Sequence, residues 1–200
     1  MSTAQDLYLV SQDVPGERPV EQGDLSLALA GAELIDLLGA RALTLEGERV
    51  VPGPPLALGD RLLDEAEAAL ARQEPYETVE DWLWRRGLRL ASAYREALTD
   101  EGRRGGWHRR RAAHREPAAA DSEAQARRHA CDRWSSHDPV LGALAAAVGI
   151  EEQEPDDEDL TDDATVTVLA AVNNAVTELE AVRQRRRIEN AAFDNIWRAL

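Results

Sequence analysis

The sequence predicts a mainly α-helical fold, organised as a single compact helical domain with short β-hairpins. The chain has 200 residues, of which 44% are hydrophobic, and this suits one globular domain with a sizeable core. Aromatic residues make up only 4%, so the core is expected to consist mainly of Leu, Ala and Val. Ala and Leu are strong helix formers, and apolar residues recur along most of the chain at helical spacing.

The first predicted helix follows a short apolar stretch at residues 7–10 and a polar turn region. Asp24 or Ser26 is expected to cap this helix, which should end near Gly39. The apolar residues that show helical spacing here are Leu27, Ala30, Leu34, Ile35 and Leu38.

Three local motifs predict the next elements. Two short extended runs around a Glu-Gly pair predict a β-hairpin over residues 42–51. Asp60 is expected to cap a strongly periodic helix over 61–72. Thr78 followed three residues later by Asp81 resembles a capping box, which predicts a second helix start.

The second half of the chain is also predicted to be helical. Helical spacing predicts helices at about 88–101, 122–134, 139–149 and 164–200. As an alternative, the helix over 164–200 is interrupted near Arg187. Residues 151–163 hold nine acids and no base, which is typical of a solvated linker. We therefore expect one domain over 1–200, with this acidic linker before its C-terminal helices.

Charge and targeting features restrict the function classes. The formal net charge is −15, and all 23 basic residues are Arg, a bias typical of GC-rich bacterial genomes. A strongly acidic chain is a poor general binder of nucleic acid. A single cysteine, Cys131, fits a reducing compartment, and the N-terminus does not resemble a signal peptide. We expect a cytoplasmic protein, soluble or peripheral on the inner face of a membrane.

No catalytic, metal or cofactor motif is evident in the sequence. It lacks a Gly-x-Ser-x-Gly elbow and the glycine-rich phosphate loops. Residues 135–138, Ser-Ser-His-Asp, are consecutive, whereas a catalytic triad needs groups that converge in space. His129 and Cys131 are two residues apart, and side chains at that spacing on a helix do not point toward the same metal ion. We therefore expect a protein that is not an enzyme and has no cofactor.

The segment 103–115 breaks the acidic pattern, with six Arg, two His, one Trp and no acid. Its Gly-Gly pair predicts an exposed hairpin or loop. Each Arg close to an anionic membrane contributes about 1 kcal/mol of binding, and a Trp suits the headgroup level. Two alternatives stay open, namely pairing with the protein's own acids and stacking on single-stranded nucleic acid. The candidate lipid contacts are Arg103, Arg104, Trp107, Arg109, Arg110 and Arg111.

Four stretches share a recognisable pattern: Asp6–Val10, Leu29–Leu45, Gly59–Ala66 and Glu77–Trp82. The third, Gly-Asp-Arg-Leu-Leu-Asp-Glu-Ala, is the most specific. In this order they resemble the GPP34 family, the Golgi phosphoprotein 3 group, with the best match over residues 6–102. The helical spacing that follows also resembles the C-terminal half of that family.

The resemblance implies a compact helical fold with β-hairpins and a role that is not enzymatic. In eukaryotic members it implies peripheral attachment through phosphatidylinositol 4-phosphate, and an adaptor role toward the cytoplasmic tails of membrane enzymes. There the headgroup sits in a basic pocket beside an apolar hairpin that enters the membrane. The hairpin position corresponds here to 103–115, which is Arg-rich instead of apolar.

The pocket positions of the family are also altered in this chain. By alignment they fall on Glu21, Ala30, Leu88 and Ala91, and none of these side chains can hold a phosphate. Arg85, Arg86 and Arg89 lie nearby in sequence and are candidate substitutes for the headgroup contacts.

The resulting prediction is shallow, salt-sensitive binding to anionic phospholipid without headgroup selection, by an adaptor-like protein with unnamed protein clients. The alternative is a cytosolic protein-interaction module that binds no lipid. In that case 103–115 would dock an acidic partner, or the 151–163 run of another copy in a homo-oligomer.

Overall fold

The computed structural model describes residues 2–14, 19–99, 118–150 and 162–198, with side chains from residue 124 in the third range and through 191 in the last. The prediction of a mainly α-helical fold is confirmed. The elements are α1 (Thr3–Asp13), α2 (Gln22–Gly39), β1 (Leu43–Glu46), β2 (Arg49–Pro52), α3 (Arg61–Ala68), α4 (Val79–Arg86), α5 (90–99), α6 (Ala118–Ser135), α7 (Pro139–Ala147) and α8 (Asp163–Arg198). The segments 103–115 and 151–161 lie outside the described residues.

Helix α2 is the centre of the core. It is buried almost continuously from Leu25 to Leu34, because its sequence is apolar around most of its circumference, as expected of a core helix. Helices α1, α3, α4, α7 and α8 all contact it. The other elements are therefore best placed by where they meet α2.

Helix α4 runs antiparallel to α2. The buried Trp82 indole donates a hydrogen bond to the Ala30 carbonyl at 3.1 Å. Directly after the last residue of α4, Gly87 lies against Ser26, where a Cβ would approach the Ser26 carbonyl to 3.2 Å. The end of α4 therefore lies near the N-terminal end of α2.

Helix α8 also runs antiparallel to α2. A Cβ at Gly31 would lie 2.3 Å from Val172 Cγ2, so the two helices are in close contact there. Further along α8, Leu179 and Arg183 lie directly against Gly23. Helices α4 and α8 thus point toward the same end of the molecule, the N-terminal end of α2.

The predicted caps of α3 and α4 and the hairpin predicted over 42–51 are confirmed. Asp60 accepts hydrogen bonds from the backbone of Leu62 and Leu63 at the start of α3. Thr78 and Asp81 form a capping box at the start of α4. Strands β1 and β2 pair antiparallel, and Leu43 stands opposite Pro52.

Other predictions of helix boundaries were wrong. The apolar stretch 7–10 belongs to α1, which Ser2 caps. Helix α2 begins at Gln22, before either predicted cap. Asp24 instead pairs with Arg183 at 2.7 Å, because α8 packs against the first turn of α2. The Ser26 hydroxyl donates to the Gln22 carbonyl at 2.7 Å, as an internal helix residue can.

Two helix ends also differ from the prediction. Helix α3 stops at Ala68, and Arg72 beyond it donates to the Gly53 carbonyl at 2.8 Å, which ties this connection to the hairpin. Helix α8 is continuous through Arg187. The alternative of a break at that position is therefore wrong.

Candidate functional site

The turn between α4 and α5 holds the three predicted substitute arginines. Arg85 is half exposed and donates to both carboxylate oxygens of Glu77, at 2.7 and 2.8 Å. Its guanidinium carbon also lies 5.2 Å from the centre of the Trp82 ring, a cation–π distance. Arg85 is thus already engaged with the protein itself.

Arg86 is less exposed than Arg85 and forms hydrogen bonds with a buried acid. It forms two hydrogen bonds with the fully buried Glu33 carboxylate, at 2.8 and 2.9 Å. It also donates to the Leu62 carbonyl at 3.2 Å. This guanidinium is held at the meeting point of α2, α3 and α4, which favours a structural role over contact with a ligand.

Glu33 belongs to a buried network of three groups. Burial raises its pKa, and its hydrogen bond and charge interaction with Arg86 oppose that rise. The Tyr94 hydroxyl donates to Glu33 at 3.2 Å, and burial raises the pKa of Tyr94 well above its ordinary value. The network is therefore arranged as a carboxylate between two donors.

Arg89 differs from the other two. It is exposed, has a φ of 63°, and forms no ion pair with any residue that the structure describes. Its neighbour Leu88 is 78% exposed, and Trp84 on the preceding turn of α4 is 37% exposed. This turn thus presents apolar side chains beside a positive charge that has no ion-pair partner among the described residues.

The four positions aligned with the family's pocket do not converge on a ligand. Ala30 is fully buried. Ala91 is also buried, and its backbone N–H donates to Ser26 Oγ at 3.1 Å. Glu21 and Leu88 are exposed. No cation stands at any of these four positions, so a phosphate pocket built on them has no charged donor.

A comparison with protein-family sequence models gives a match over residues 4–190, to the family described as Golgi phosphoprotein 3 (GPP34). The chain belongs to the GPP34 family. The match spans both the N-terminal half and the helices beyond it. No curated protein and no solved structure matches the chain.

This GPP34-family chain has a second, partly buried charge cluster between α1 and α6, centred on Asp6. Asp6 is fully buried and accepts from Arg133 at 2.8 Å, while His129 Nδ1 lies 3.2 Å from the other carboxylate oxygen. Arg133 also pairs with Asp138 at 2.9 Å. Hydrogen bonds to the two acids raise the pKa of Arg133 and oppose the effect of its burial.

The contacts in and around this cluster show the structural roles of several residues that were considered as catalytic or metal-binding candidates in the sequence. Asp138 caps α7, and the Ser136 hydroxyl donates to the Arg133 carbonyl, so neither is arranged around a nucleophile. Cys131 is exposed beside a crevice of about 80 Å³ between α1 and α6. Among the described residues, no group of three or more potential metal ligands comes together.

The predicted lipid contacts at 103–111 lie outside the described residues of this GPP34-family protein. None of the described helices is both long enough and apolar enough to cross a bilayer. Sequence reasoning missed the pairing of Glu33 with Arg86, because 53 residues separate the partners. The available indication was a single Glu within the otherwise apolar α2 sequence, since a buried charge requires a partner.

Proposed function

We propose that this GPP34-family protein is a non-enzymatic binding protein that associates peripherally with anionic phospholipid surfaces. Family membership supports a membrane role, and the Arg-rich segment 103–115 supplies the charge for it. Six arginines close to an anionic leaflet would contribute several kcal/mol, at about 1 kcal/mol each. An adaptor role toward a protein client follows from the same family relationship.

Binding without headgroup selection is supported by one observation, the pairing of two of the three pocket-side arginines with acids of the protein itself. Arg85 is held by Glu77 and Arg86 by Glu33. Selection of one phosphate pattern requires several unpaired donors that converge on it. Diffuse attraction to surface charge requires no such convergence, and it weakens with salt because screening acts over about 8 Å at physiological ionic strength.

Vesicle flotation of the full chain tests this proposal. The vesicles are phosphatidylcholine alone, or phosphatidylcholine mixed with phosphatidylglycerol or phosphatidylinositol 4-phosphate at equal surface charge. We expect flotation with both anionic mixtures, a clear decrease as salt is raised, and none with the neutral vesicles. A strong preference for phosphatidylinositol 4-phosphate at equal charge would contradict the absence of headgroup selection.

A triple variant locates the contact. Arg109→Ser, Arg110→Ser and Arg111→Ser together should remove most of the binding. The matched control makes the same charge change at Arg61, Arg95 and Arg128, which are exposed on the described surface, and it should bind nearly as the parent does. Equal loss in both variants would show that net charge matters and that the segment does not.

The alternative function, a protein-interaction module without lipid binding, is distinguished in the same samples. It predicts no flotation with any vesicle. If the partner is the 151–163 run of another copy, sedimentation without lipid should show association that rises with protein concentration and falls with salt. The triple variant at 109–111 should then abolish that association.

A further inference from the structure

Helix α6 is attached to the body of the protein with little apolar contact. Its main neighbours are α1 and α7. Among its side chains that the structure describes, the buried ones are Ala126 and Ala130, and Trp134 is packed against the core in part. The nine-residue α7 buries two leucines completely. Since hydrophobic stabilisation grows with the apolar area removed from water, α6 is held more weakly by this effect than its 18 residues suggest.

Charge pairs fasten both ends of the described part of α6 to α1. Arg127 donates two hydrogen bonds to Asp13, at 2.6 and 2.8 Å. Arg133 donates to the fully buried Asp6 at 2.8 Å, and His129 lies 3.2 Å from the other oxygen of that carboxylate. The two helices are therefore antiparallel, and basic side chains of α6 stand along acidic side chains of α1.

The turn that follows α6 is suited to act as a pivot. The amides of His137 and Asp138 donate to carbonyls in the last turn of α6, which closes the helix in a Schellman turn. His137 has a φ of 55°, a conformation that glycine adopts without strain and histidine does not. Beyond the turn, α7 is fixed because it packs on α1, α2 and α8. Movement of α6 would thus rotate about residues 136–138 and leave α7 in place.

The charge pairs give less net attachment than their number suggests. Separation of the two helices would return Asp6 and Arg133 to water, and the hydration recovered offsets much of the lost attraction. The pair of Arg127 with Asp13 is already close to half exposed, and such pairs contribute little. Helices in proteins owe most of their stability to packing. A detached α6 would therefore also loosen its own backbone hydrogen bonds.

We propose that α6 is an electrostatically held strap, which separates from α1 as a unit while the rest of the fold stays intact. Local opening of this kind is typical of elements with few buried apolar contacts. Salt and competing anions would favour the open form, because they weaken the contacts of Arg127 and Arg133 with their acids. Opening would uncover Asp6 and two apolar side chains of α1 that line the crevice against α6, Leu9 and Val10.

The open form would change the reach of the Arg-rich segment. Residues 103–115 end just before α6 in the chain. With α6 detached, the chain on that side of the segment would be anchored at the pivot instead of along α1. This consequence rests on the proposed function of 103–115, whereas the opening itself does not. A failure of the lipid-binding proposal would thus leave the strap unaffected.

Hydrogen–deuterium exchange of the full chain, measured by mass spectrometry without any ligand, tests the strap. Peptides from 124–135 in α6 are compared with peptides from 25–37 in α2, where exchange requires the whole fold to open. Relative to intrinsic rates, we expect the α6 amides to exchange on the order of 100-fold faster than those of α2. Added sodium chloride should speed α6 further and affect α2 much less. Exchange of α6 and α2 at the same rate would overturn the proposal.

Variants on α6 itself isolate the role of charge. Arg133→Gln removes the cation that faces the buried Asp6 and should speed exchange of α6 by about tenfold or more. Arg127→Gln, whose pair is more exposed, should give a smaller increase of about two- to fivefold. The matched control is Arg128→Gln, since Arg128 is exposed and forms no ion pair within the described part of the chain. Equal exchange in all three variants would contradict electrostatic attachment.

Dilution distinguishes the strap from contact between copies. Opening within one molecule does not depend on protein concentration, so exchange of α6 should be the same in concentrated and dilute samples. Faster exchange of α6 on dilution would mean that another copy holds the helix in place. That result would overturn the assignment of the attachment to α1 of the same chain.

Discussion

Removal of the Arg86 guanidinium is the sharpest test of how the core is held together. Arg86→Met replaces the stem of the side chain with an apolar one of similar length, lacks the guanidinium, and removes both hydrogen bonds to Glu33, at 2.8 and 2.9 Å. The Glu33 side chain has no exposed surface, so water cannot replace the lost partner. Only Tyr94, at 3.2 Å, would still donate to it.

The expected cost is large and depends on pH. Removal of one partner of a buried ion pair costs about 3–5 kcal/mol, and protonation of the orphaned carboxyl limits that cost. Burial already raises the pKa of Glu33, and Arg86 is the main group that opposes the rise. In the variant the pKa therefore rises further. The folded state then binds more protons than the unfolded state, and stability falls as pH rises from about 4.3, the value for an unfolded Glu.

Urea unfolding followed by circular dichroism at pH 5 and pH 7 measures both effects. We expect a loss of about 3 kcal/mol or more at pH 7, and a smaller loss at pH 5, where protonation relieves the buried charge. Glu33→Gln in the Arg86→Met background should restore much of the stability at pH 7. Arg61→Met is the control, because its pair with Glu65 is half exposed and is worth roughly 0.3–0.5 kcal/mol.

The reasoning would be refuted by a loss under about 1 kcal/mol that is equal at both pH values, since a buried pair cannot give that result. An equal loss in the double variant would also refute it. That outcome would mean that Arg86 stabilises the fold through the packing of its alkyl chain instead of its charge.

Two further predictions concern glycine packing and a helix cap. Gly31→Ala should destabilise the protein by about 1–3 kcal/mol in urea unfolding, because its Cβ would lie 2.3 Å from Val172 Cγ2. The control is Gly142→Ala, which has open space around it and should stabilise α7 by roughly 0.5–1 kcal/mol. Asp60→Ala should cost about 1 kcal/mol, since two backbone N–H groups at the start of α3 lose their acceptor. Asp60→Asn keeps an acceptor oxygen and should retain most of that stability, so equal losses in the two variants would refute the assignment of the effect to these hydrogen bonds.

Local chemistry explains which parts of this fold were predictable. The Asp60 cap and the pair of Thr78 with Asp81 involve residues two or three apart, and such motifs work in the same way in any protein. The start of α2 was not predictable in this way, because Glu21 makes no side-chain cap bond there. Asp24, a plausible cap by its residue type, is instead fixed by Arg183 from the other end of the chain.

The same distinction applies to the candidate site. The sequence identifies Arg85, Arg86 and Arg89 as nearby arginines, but it does not show which of them is free. That depends on Glu77 and on Glu33, the latter more than fifty residues away. Only the packing of α4 on α2 shows that Arg86 is internal and Arg89 exposed. Residue type thus predicts where positive charge can occur, and tertiary contacts determine where it is available.

The organisation of charge explains how so acidic a protein could contact an anionic surface. Partly buried arginines neutralise acids inside the fold, as Arg86 does for Glu33 and Arg133 for Asp6. Arg89 instead is exposed and forms no ion pair within the part of the chain that the structure describes, beside the exposed side chain of Leu88. Screening over about 8 Å means that a surface responds to the charges nearest to it and hardly to the total. A surface of this kind would favour the orientation in which exposed arginines face it and the acidic remainder of the chain, with its net charge of −15, faces away.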